Sequence, residues 1–201
     1  MNDATKPNFN PKISVVIPVY NEEVIVESAI DELSRKIETV IHETYEIILA
    51  ENGSKDNTLQ KCKDLEKKYP QVQVLSHHEP NYGAALKRGI LSAKGIFIIC
   101  DEIDLCDIEF YSQSLKILEQ QSADFVVGSK NMQGSLDQRP LIRKLGTKVI
   151  NTMLKYSLGF HGTDTHGLKA FRAKPVLPIV NECMVDKDLF ASELVIRAER
   201  K

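Results

Sequence analysis

The stretch ISVVIPVYNE, residues 13–22, decides the fold of this chain. Its first part, Ile13–Val19, is an apolar run rich in β-branched residues, which is typical of a parallel strand buried on both faces. Pro18 terminates the run, and Glu22 suits the positive N-terminal end of a following helix. We therefore predict a strand near the centre of a parallel sheet, followed directly by a helix.

Strands and helices alternate from this stretch onwards. Further strands are predicted at residues 45–50, 72–75, 96–100 and 124–127. Helices are predicted at residues 22–42, from the turn at 52–54 to about 69, at 82–93 and at 108–121. This alternation predicts an α/β fold with a mostly parallel central sheet flanked by helices. Ligands of such sheets bind beyond the carboxyl ends of the strands, which here precede polar loops at residues 18–23, 51–57, 101–107 and 128–135.

The pattern changes from about residue 136. A basic amphipathic helix is predicted at 139–157, a loop at 159–169 and a last helix at 188–201. We expect a flexible segment at 1–12 and one domain at 13–201, whose two halves meet near residue 135. The last predicted helix still runs at the final residue, which suggests that the C-terminus is truncated.

Composition narrows the functional class. The net charge is −2 and 42% of the residues are hydrophobic, which is ordinary for a soluble domain and gives no argument for nucleic acid binding. No apolar run approaches the roughly 20 residues of a membrane span, and the polar N-terminus is unlike a signal peptide. Four cysteines without metal-binding spacing favour a reducing compartment. We expect a cytoplasmic protein, either soluble or peripheral on the membrane.

An acidic cluster follows the strand predicted at 96–100. Asp101, Glu102, Asp104 and Asp107 place four carboxylates within seven residues. These carboxylates repel one another, and a divalent cation between them would remove the repulsion. Mg²⁺ or Mn²⁺ would take one or two carboxylates and bridge to diphosphate oxygens. A solvated acidic loop is the alternative.

Four other polar segments are candidates for binding. Residues 18–22 offer helix N–H groups, an aromatic face and a carboxylate, and residues 51–58 offer an acid beside Gly53, which permits close approach of a ligand. Lys130 and the basic stretch 139–155 could hold a phosphate. The loop at 162–167 could supply a base or bind sugar hydroxyls. Capped turns and solvated helix faces explain each segment equally well when it is taken alone.

The order of these segments carries a resemblance to a known family. ISVVIPVYNE, EIILAENGSKDNT, NYGAALKRGILSAKGIFIICDEIDLCD and ADFVVGSK resemble the nucleotide-sugar half of family-2 glycosyltransferases, which have a GT-A fold. RPLIRKLGTKVINTMLKYSLGF and GTDTHGLKAFR resemble the subgroup of polyprenyl-phosphate (dolichyl-phosphate) hexosyltransferases. The resemblance runs from about Ile13 to Ala198. It implies an enzyme that transfers a hexose from UDP or GDP to a polyprenyl phosphate at an anionic membrane surface.

The resemblance also implies roles for individual residues. Those implied to bind the nucleotide-sugar are Pro18, Tyr20, Glu22, Glu51, Gly53, Ser54, Asn81, Gly83, Lys87 and Asp101. Those implied to bind Mg²⁺ or Mn²⁺ are Asp104, Glu102 and Asp101. Those implied to act in catalysis are Asp104, Lys130, Arg139, Arg143, Asp164 and Glu193. Several positions depart from the family pattern: Glu51 replaces an Asp, Glu102 replaces the first Asp of the D-x-D metal motif, Cys106 replaces a Gln or His, and Lys130 replaces a frequent Arg.

The implied mechanism is an inverting displacement at the anomeric carbon. The metal and Lys130 would stabilise the departing diphosphate, while a phosphate acceptor is already an anion and needs no strong base. Two alternatives remain open. A saccharide hydroxyl acceptor would require a base, for which Asp164 and Glu193 are candidates. The altered acidic motifs also allow a nucleotide-sugar binder without activity.

Overall fold

The computed structural model describes residues 10–128, 165 and 167–201. The strands in these ranges are β1 Ile13–Val19, β2 Tyr45–Asn52, β3 Val72–His77, β4 Phe97–Cys100, β5 Phe125–Val127 and β6 Lys169–Arg172. The α-helices there are α1 Val26–Lys36, α2 Thr58–Lys68, α3 Tyr82–Ser92, α4 Ile108–Glu119, α5 Ala173–Glu182 and α6 Phe190–Glu199. A wider helical turn, Ile37–Ile41, extends α1, and a short 3₁₀ turn, Lys187–Leu189, precedes α6.

The described strands form one sheet in the order β3-β2-β1-β4-β6-β5. β1 lies inside the sheet and pairs in parallel with both β2 and β4. β3 continues the parallel arrangement beside β2. Only β6 of these strands is reversed, because it pairs antiparallel with both β4 and β5. The predictions of a mostly parallel sheet and of an interior first strand are therefore confirmed.

The side chains of β1 alternate between two apolar layers. Val15 and Ile17 pack on the side covered by α1, α2 and α4, whereas Val16 packs on the side covered by α3, α5 and α6. All three are fully buried. This explains why the strand is apolar at every position except Ser14: both of its faces contribute to the core, and burial of each such side chain contributes about 1.5–3 kcal/mol.

Two predictions about local structure were wrong. The helix predicted from residue 22 begins only at Val26, and the residues before it form a turn in which the Glu22 carbonyl accepts from the N–H groups of Ile25 and Val26. The prediction of a loop up to residue 169 leaves out β6, which begins at Lys169, and sequence analysis gave no sign of α5, whose AKPVLPIVNE sequence contains two prolines.

The buried side chains of α5 explain how that helix forms despite its prolines. Pro175 lies in the first turn, where the N–H has no partner within the helix. Val176, Ile179 and Val180 pack into the layer beneath the sheet, and that burial offsets the hydrogen bond that Pro178 cannot donate.

Two further observations concern the state of the cysteines and the length of the apolar helices. All four cysteines are unpaired and buried. Within the described ranges, no helix is long and apolar enough to span a bilayer.

Candidate active site

The loops that follow β1 and β2 are tied together at the carboxyl edge of the sheet. The N–H of Asn21 donates to Ser54 Oγ at 3.0 Å, and Asn21 Oδ1 accepts from the N–H of Lys55 at 2.8 Å. The N–H of Glu22 donates to Thr58 Oγ1 at 2.8 Å. Asn21 has φ of 56°, a left-handed conformation that Asn tolerates better than most residues. The two loops therefore form one fixed surface beside the end of β1.

Glu51 shapes the turn after β2. Its side chain is 1% exposed, Oε1 accepts from the N–H of Ser54 at 2.6 Å, and Oε2 accepts from Ser76 Oγ at 2.8 Å. Gly53 completes the turn with φ of 73°, and a Cβ there would lie 2.8 Å from the carbonyl oxygen of His78. Both carboxylate oxygens of Glu51 are thus already hydrogen-bonded within the chain, and its predicted contact with the base stays a prediction.

Residues 101–107, here called the acidic loop, follow β4 at the same edge. The side chains that point into the protein are Asp101, Ile103 and Cys106, which are 2%, 6% and 9% exposed. Asp104 is exposed and Glu102 is half-buried. The loop therefore leaves Asp104, and in part Glu102, open to solvent, and their match to the two acids of the D-x-D motif stays a prediction.

Asp101 is bound on both of its oxygens. Oδ1 accepts from the N–H of Glu102 at 2.6 Å, and Oδ2 accepts from the N–H of Asp107 at 3.2 Å and from Tyr111 Oη at 2.5 Å. Burial raises the pKa of Asp101 to about 6, against these hydrogen bonds, which lower it. The side chain of Asp101 thus lies on the buried side of the acidic loop, and its predicted roles toward metal and nucleotide stay predictions.

Several carboxylates lie close to one another at this edge. Burial raises the pKa of Glu22, and the negative charges of Asp104 and Asp56 raise it further. Within the part of the chain that the structure describes, no three His, Cys, Asp or Glu side chains form a ready-made metal cluster.

Three residues predicted to bind the nucleotide-sugar instead contact the segment before α6. Asn81 caps α3, and its Oδ1 also accepts from the N–H of Lys187 at 2.9 Å. Lys87 Nζ donates to the carbonyl of Cys183 at 2.6 Å. Gly83 lies so close to the Lys187 carbonyl that a Cβ would collide with it. The structure therefore shows a supporting role for these residues, and direct contact with the donor stays a prediction.

Glu193 is engaged in a similar way. Its Oε2 accepts from the N–H groups of Met184 at 2.9 Å and Val185 at 2.7 Å, and Oε1 accepts from Arg197 Nε at 2.8 Å. Burial alone would raise the pKa of Glu193, but the hydrogen bonds from Val185, Arg197 and Met184 outweigh it and lower the pKa. These hydrogen bonds show a structural role for Glu193, and its predicted role in catalysis stays a prediction.

Some of the remaining predicted residues lie within the described ranges, and the others lie outside them. Tyr20 is 38% exposed directly after β1, and Pro18 is half-buried within that strand. Thr165 is buried, and Ser192 Oγ of α6 donates to its Oγ1 at 3.0 Å. The predicted residues that lie outside the described residues are Lys130, Arg139, Arg143 and Asp164.

Sequence analysis did not single out two residues that shape this edge. Tyr111 was overlooked, although a buried tyrosine hydroxyl needs a partner and the nearby acids offered one. Ser76 gave no signal, because its contact with Glu51 depends on the pairing of β3 with β2.

The model of the family described as "Glycosyl transferase family 2" matches residues 14–176. This chain belongs to glycosyl transferase family 2. Its six described strands and flanking helices have the GT-A arrangement of solved family-2 structures. A mannosyltransferase from Pyrobaculum calidifontis, solved in complex with GDP-Man and Mn²⁺, superposes with a TM-score of 0.58 at 16% identity, over 86% of this chain and 48% of that chain.

Curated relatives in this family include transferases that are named for lipid phosphates. The dolichol-phosphate mannosyltransferase of Pyrococcus furiosus is 28% identical over 142 residues, which cover 68% of this chain and 38% of the relative. A dolichyl-phosphate beta-glucosyltransferase of Trichomonas vaginalis is 27% identical over 199 residues, which cover 94% of this chain and 61% of the relative. The chain thus spans between about two fifths and three fifths of the length of these relatives.

Within this family-2 domain, the described candidate residues have two kinds of position. Tyr20, Glu102 and Asp104 remain accessible from the carboxyl edge. Glu51, Asp101 and Glu193 bind backbone N–H groups and fix the loops around that edge. An accessible aromatic ring and accessible carboxylates at one edge suit an aromatic base and a divalent cation.

Proposed function

We propose that this chain binds a nucleotide-sugar with Mg²⁺ or Mn²⁺ and transfers the hexose to a polyprenyl phosphate. The observation that carries the proposal is that the exposed Asp104 and the half-buried Glu102 follow β4 at the carboxyl edge of a family-2 domain. Like charges placed together in this way favour a bound cation.

Glu102 and Asp104 are the residues that would hold the metal. Both point outward from a loop whose inner side is fixed, and both offer the oxygen ligands that Mg²⁺ and Mn²⁺ prefer. When bound, the metal would offset the negative charge that develops on the leaving nucleoside diphosphate. The Mn²⁺ in the complex of the Pyrobaculum calidifontis mannosyltransferase supports this choice.

The loops after β1 and β2 would hold the nucleoside. The Tyr20 ring is accessible for stacking on a base, and the turn at Gly53 allows the backbone to approach a ribose. Because Glu51 fixes this turn from beneath, we expect it to set the width of the base pocket, and a direct contact would use a lone pair that its present bonds leave free.

A phosphate acceptor fits the described residues better than a saccharide hydroxyl. A hydroxyl needs a base to remove its proton, and Glu193, one of the two candidates, is held by three hydrogen bonds. A phosphate monoester is already an anion, and an inverting displacement by it needs only alignment. The names of the dolichol-phosphate relatives support the same acceptor.

The proposal also gives roles to Lys130, Arg139 and Arg143, which rest on the sequence alone. Lys130 would contact the diphosphate, and the two arginines would hold the acceptor phosphate, for which a guanidinium is well suited. The five basic residues between positions 139 and 155 would also draw the protein to an anionic membrane surface.

A transfer assay tests the proposal. Purified protein is incubated with UDP- and GDP-hexoses, a polyprenyl phosphate or a saccharide, and either Mn²⁺ or EDTA. We expect Mn²⁺-dependent transfer to the polyprenyl phosphate and a loss of at least about 100-fold in Asp104→Asn. Asp64→Asn, an exposed change on α2, is the matched control and should retain activity.

Three results would count against the proposal. Transfer that persists in EDTA and in Asp104→Asn would contradict the proposed metal site. Transfer to a saccharide but not to the polyprenyl phosphate would favour a hydroxyl acceptor, and binding without any transfer would favour a non-catalytic binder.

A further inference from the structure

The acidic loop is closed by one buried carboxylate. Asp101 Oδ1 accepts from the N–H of Glu102 at 2.6 Å, at the start of the loop, and Asp101 Oδ2 accepts from the N–H of Asp107 at 3.2 Å, at its end. The same side chain therefore binds both ends of the loop and fixes the path of the chain between them.

Tyr111 joins this closed loop to helix α4. Its hydroxyl donates to Asp101 Oδ2 at 2.5 Å, and its ring is 1% exposed within the layer between α4 and the sheet. The helix itself begins at the loop, because Asp107 Oδ1 accepts from the N–H groups of Glu109 and Phe110 at 3.1 Å. Loop and helix start thus form one hydrogen-bonded unit.

The burial of Asp101 carries an energetic cost that an apolar residue would not have. A buried carboxylate must be hydrogen-bonded, because leaving one of its oxygens without a donor costs about 1–3 kcal/mol or more. Its partners among the described residues are an O–H and two N–H groups. The benefit that offsets this cost lies in the geometry imposed on the loop.

The outward residues of the loop depend on that geometry. Ile103 and Cys106 are buried on either side of Asp104, and the N–H of Leu105 donates to the carbonyl of Glu102 at 3.0 Å. The tight turn leaves Asp104 exposed and Glu102 half-buried. A shift at either end of the loop would therefore rotate both carboxylates.

We infer that Tyr111, acting through Asp101, is a positioning residue that sets the orientation of the Glu102 and Asp104 carboxylates toward a divalent cation. This inference rests on the proposed metal site. Residues that orient metal ligands typically change metal affinity by about 10–100-fold when they are altered. Loss of the hydroxyl should leave the core packed and should weaken the binding of the cation.

The test compares two Tyr→Phe variants. Tyr111→Phe removes the hydroxyl under the acidic loop. Tyr45→Phe is the matched control: this tyrosine is 6% exposed at the opposite, amino end of β2, and its hydroxyl contacts Glu38 at 3.1 Å and Gln71 at 2.8 Å. Mn²⁺ affinity is measured from the electron paramagnetic resonance of free Mn²⁺, with and without GDP or UDP, and the melting temperature is recorded for each protein.

We expect Tyr111→Phe to bind Mn²⁺ about tenfold more weakly than the wild type, and Tyr45→Phe to bind it equally well, while both lose some thermal stability. Saturating Mn²⁺ should restore most of the transferase rate of Tyr111→Phe. Asp101→Asn is the second variant: it is nearly isosteric but cannot accept from both ends of the loop, so it should show the same weakened binding. It decides the question if Tyr111→Phe does not fold.

Each outcome is decisive. Unchanged Mn²⁺ affinity in a folded Tyr111→Phe, or in Asp101→Asn when that variant decides, overturns the inference and leaves the proposed metal site intact. Equal weakening in Tyr45→Phe would show a general effect of stability and would also overturn it. If the wild type does not bind Mn²⁺ with either nucleotide, that result contradicts both the proposed metal site and this inference.

Discussion

At the scale of single residues, the carboxylates near the carboxyl edge have two different tasks. Glu51, Asp101 and Glu193 accept hydrogen bonds from backbone N–H groups and hold loops in place. Glu102 and Asp104 face outward from the loop that Asp101 closes. Substitutions in the first group should therefore act first on the stability or shape of loops, and substitutions in the second group on ligand binding.

Glu193 offers a test of this distinction through pH. Its pKa is lowered in the folded state, so the ionised form stabilises the fold. That contribution is complete above the unfolded carboxyl pKa of about 4.3 and is lost as the pH falls through the lower folded value. We expect Glu193→Gln to lower the free energy of unfolding by about 1–3 kcal/mol at pH 7, and the difference from the wild type to shrink as the pH falls below about 4.3.

Urea unfolding across this pH range measures the effect. Glu109→Gln, an exposed change in the first turn of α4, serves as the control and should differ from the wild type by less than about 0.5 kcal/mol. A loss of stability in Glu193→Gln that is independent of pH would show that its charge is not what holds residues 184 and 185.

At the scale of secondary structure, α5 forms where the sequence argues against a helix. Pro178 is exposed in the helix interior and cannot donate to the carbonyl of Lys174. We expect Pro178→Ala to raise the free energy of unfolding by about 1–2 kcal/mol, because the restored hydrogen bond exceeds the entropy that proline removes from the unfolded chain. Pro175→Ala is the comparison.

Pro175 lies in the first turn, where no helical hydrogen bond is lost, and its replacement should bring no gain. Chemical denaturation of the two variants separates these effects. Equal stability changes in both would mean that proline position within α5 does not matter.

Some helices and strands could be predicted from the sequence, and others could not. The strand β1 was predictable because both of its faces are buried, so all of its residues except Ser14 are apolar. The start of α1 was not, because the turn before it is bound by Thr58 and Asp56, more than thirty positions away, which accept hydrogen bonds from the N–H groups of Glu22 and Glu23. β6 has only four residues and gains its stability from β4 and β5, partners that a local pattern does not reveal.

The candidate site shows the same division. The acids after β4 were predictable, since their residue types and their place after a buried strand are both local features. The supporting contacts of Asn81, Lys87 and Glu193 were not, because each depends on the packing of the segment between α5 and α6.

At the scale of the whole molecule, donor binding should be visible as stabilisation. A ligand at 100 times its dissociation constant adds about 2.7 kcal/mol to the free energy of unfolding. For a chain of this size, that corresponds to a rise in melting temperature of roughly 5–10 °C. We expect such a rise with either a UDP- or a GDP-sugar, but not with both to the same extent, and only when Mn²⁺ is present.

A thermal-shift panel of UDP-, GDP- and CDP-sugars, each with Mn²⁺ and with EDTA, tests this expectation. Asp104→Asn should lose the Mn²⁺-dependent part of the shift. A full shift in EDTA would show that the nucleotide binds without the metal.

The reversed strand β6 has a consequence for how the chain folds as it leaves the ribosome. Residues 97–100 find their second partner only in residues 169–172, and β5 joins the described sheet through β6 alone. Strands β1 to β4 can therefore assemble early, while the outer edge of β4 stays open until β6 has been synthesised. An open edge is prone to pair with other chains, so this interval is when the nascent protein should depend most on a chaperone.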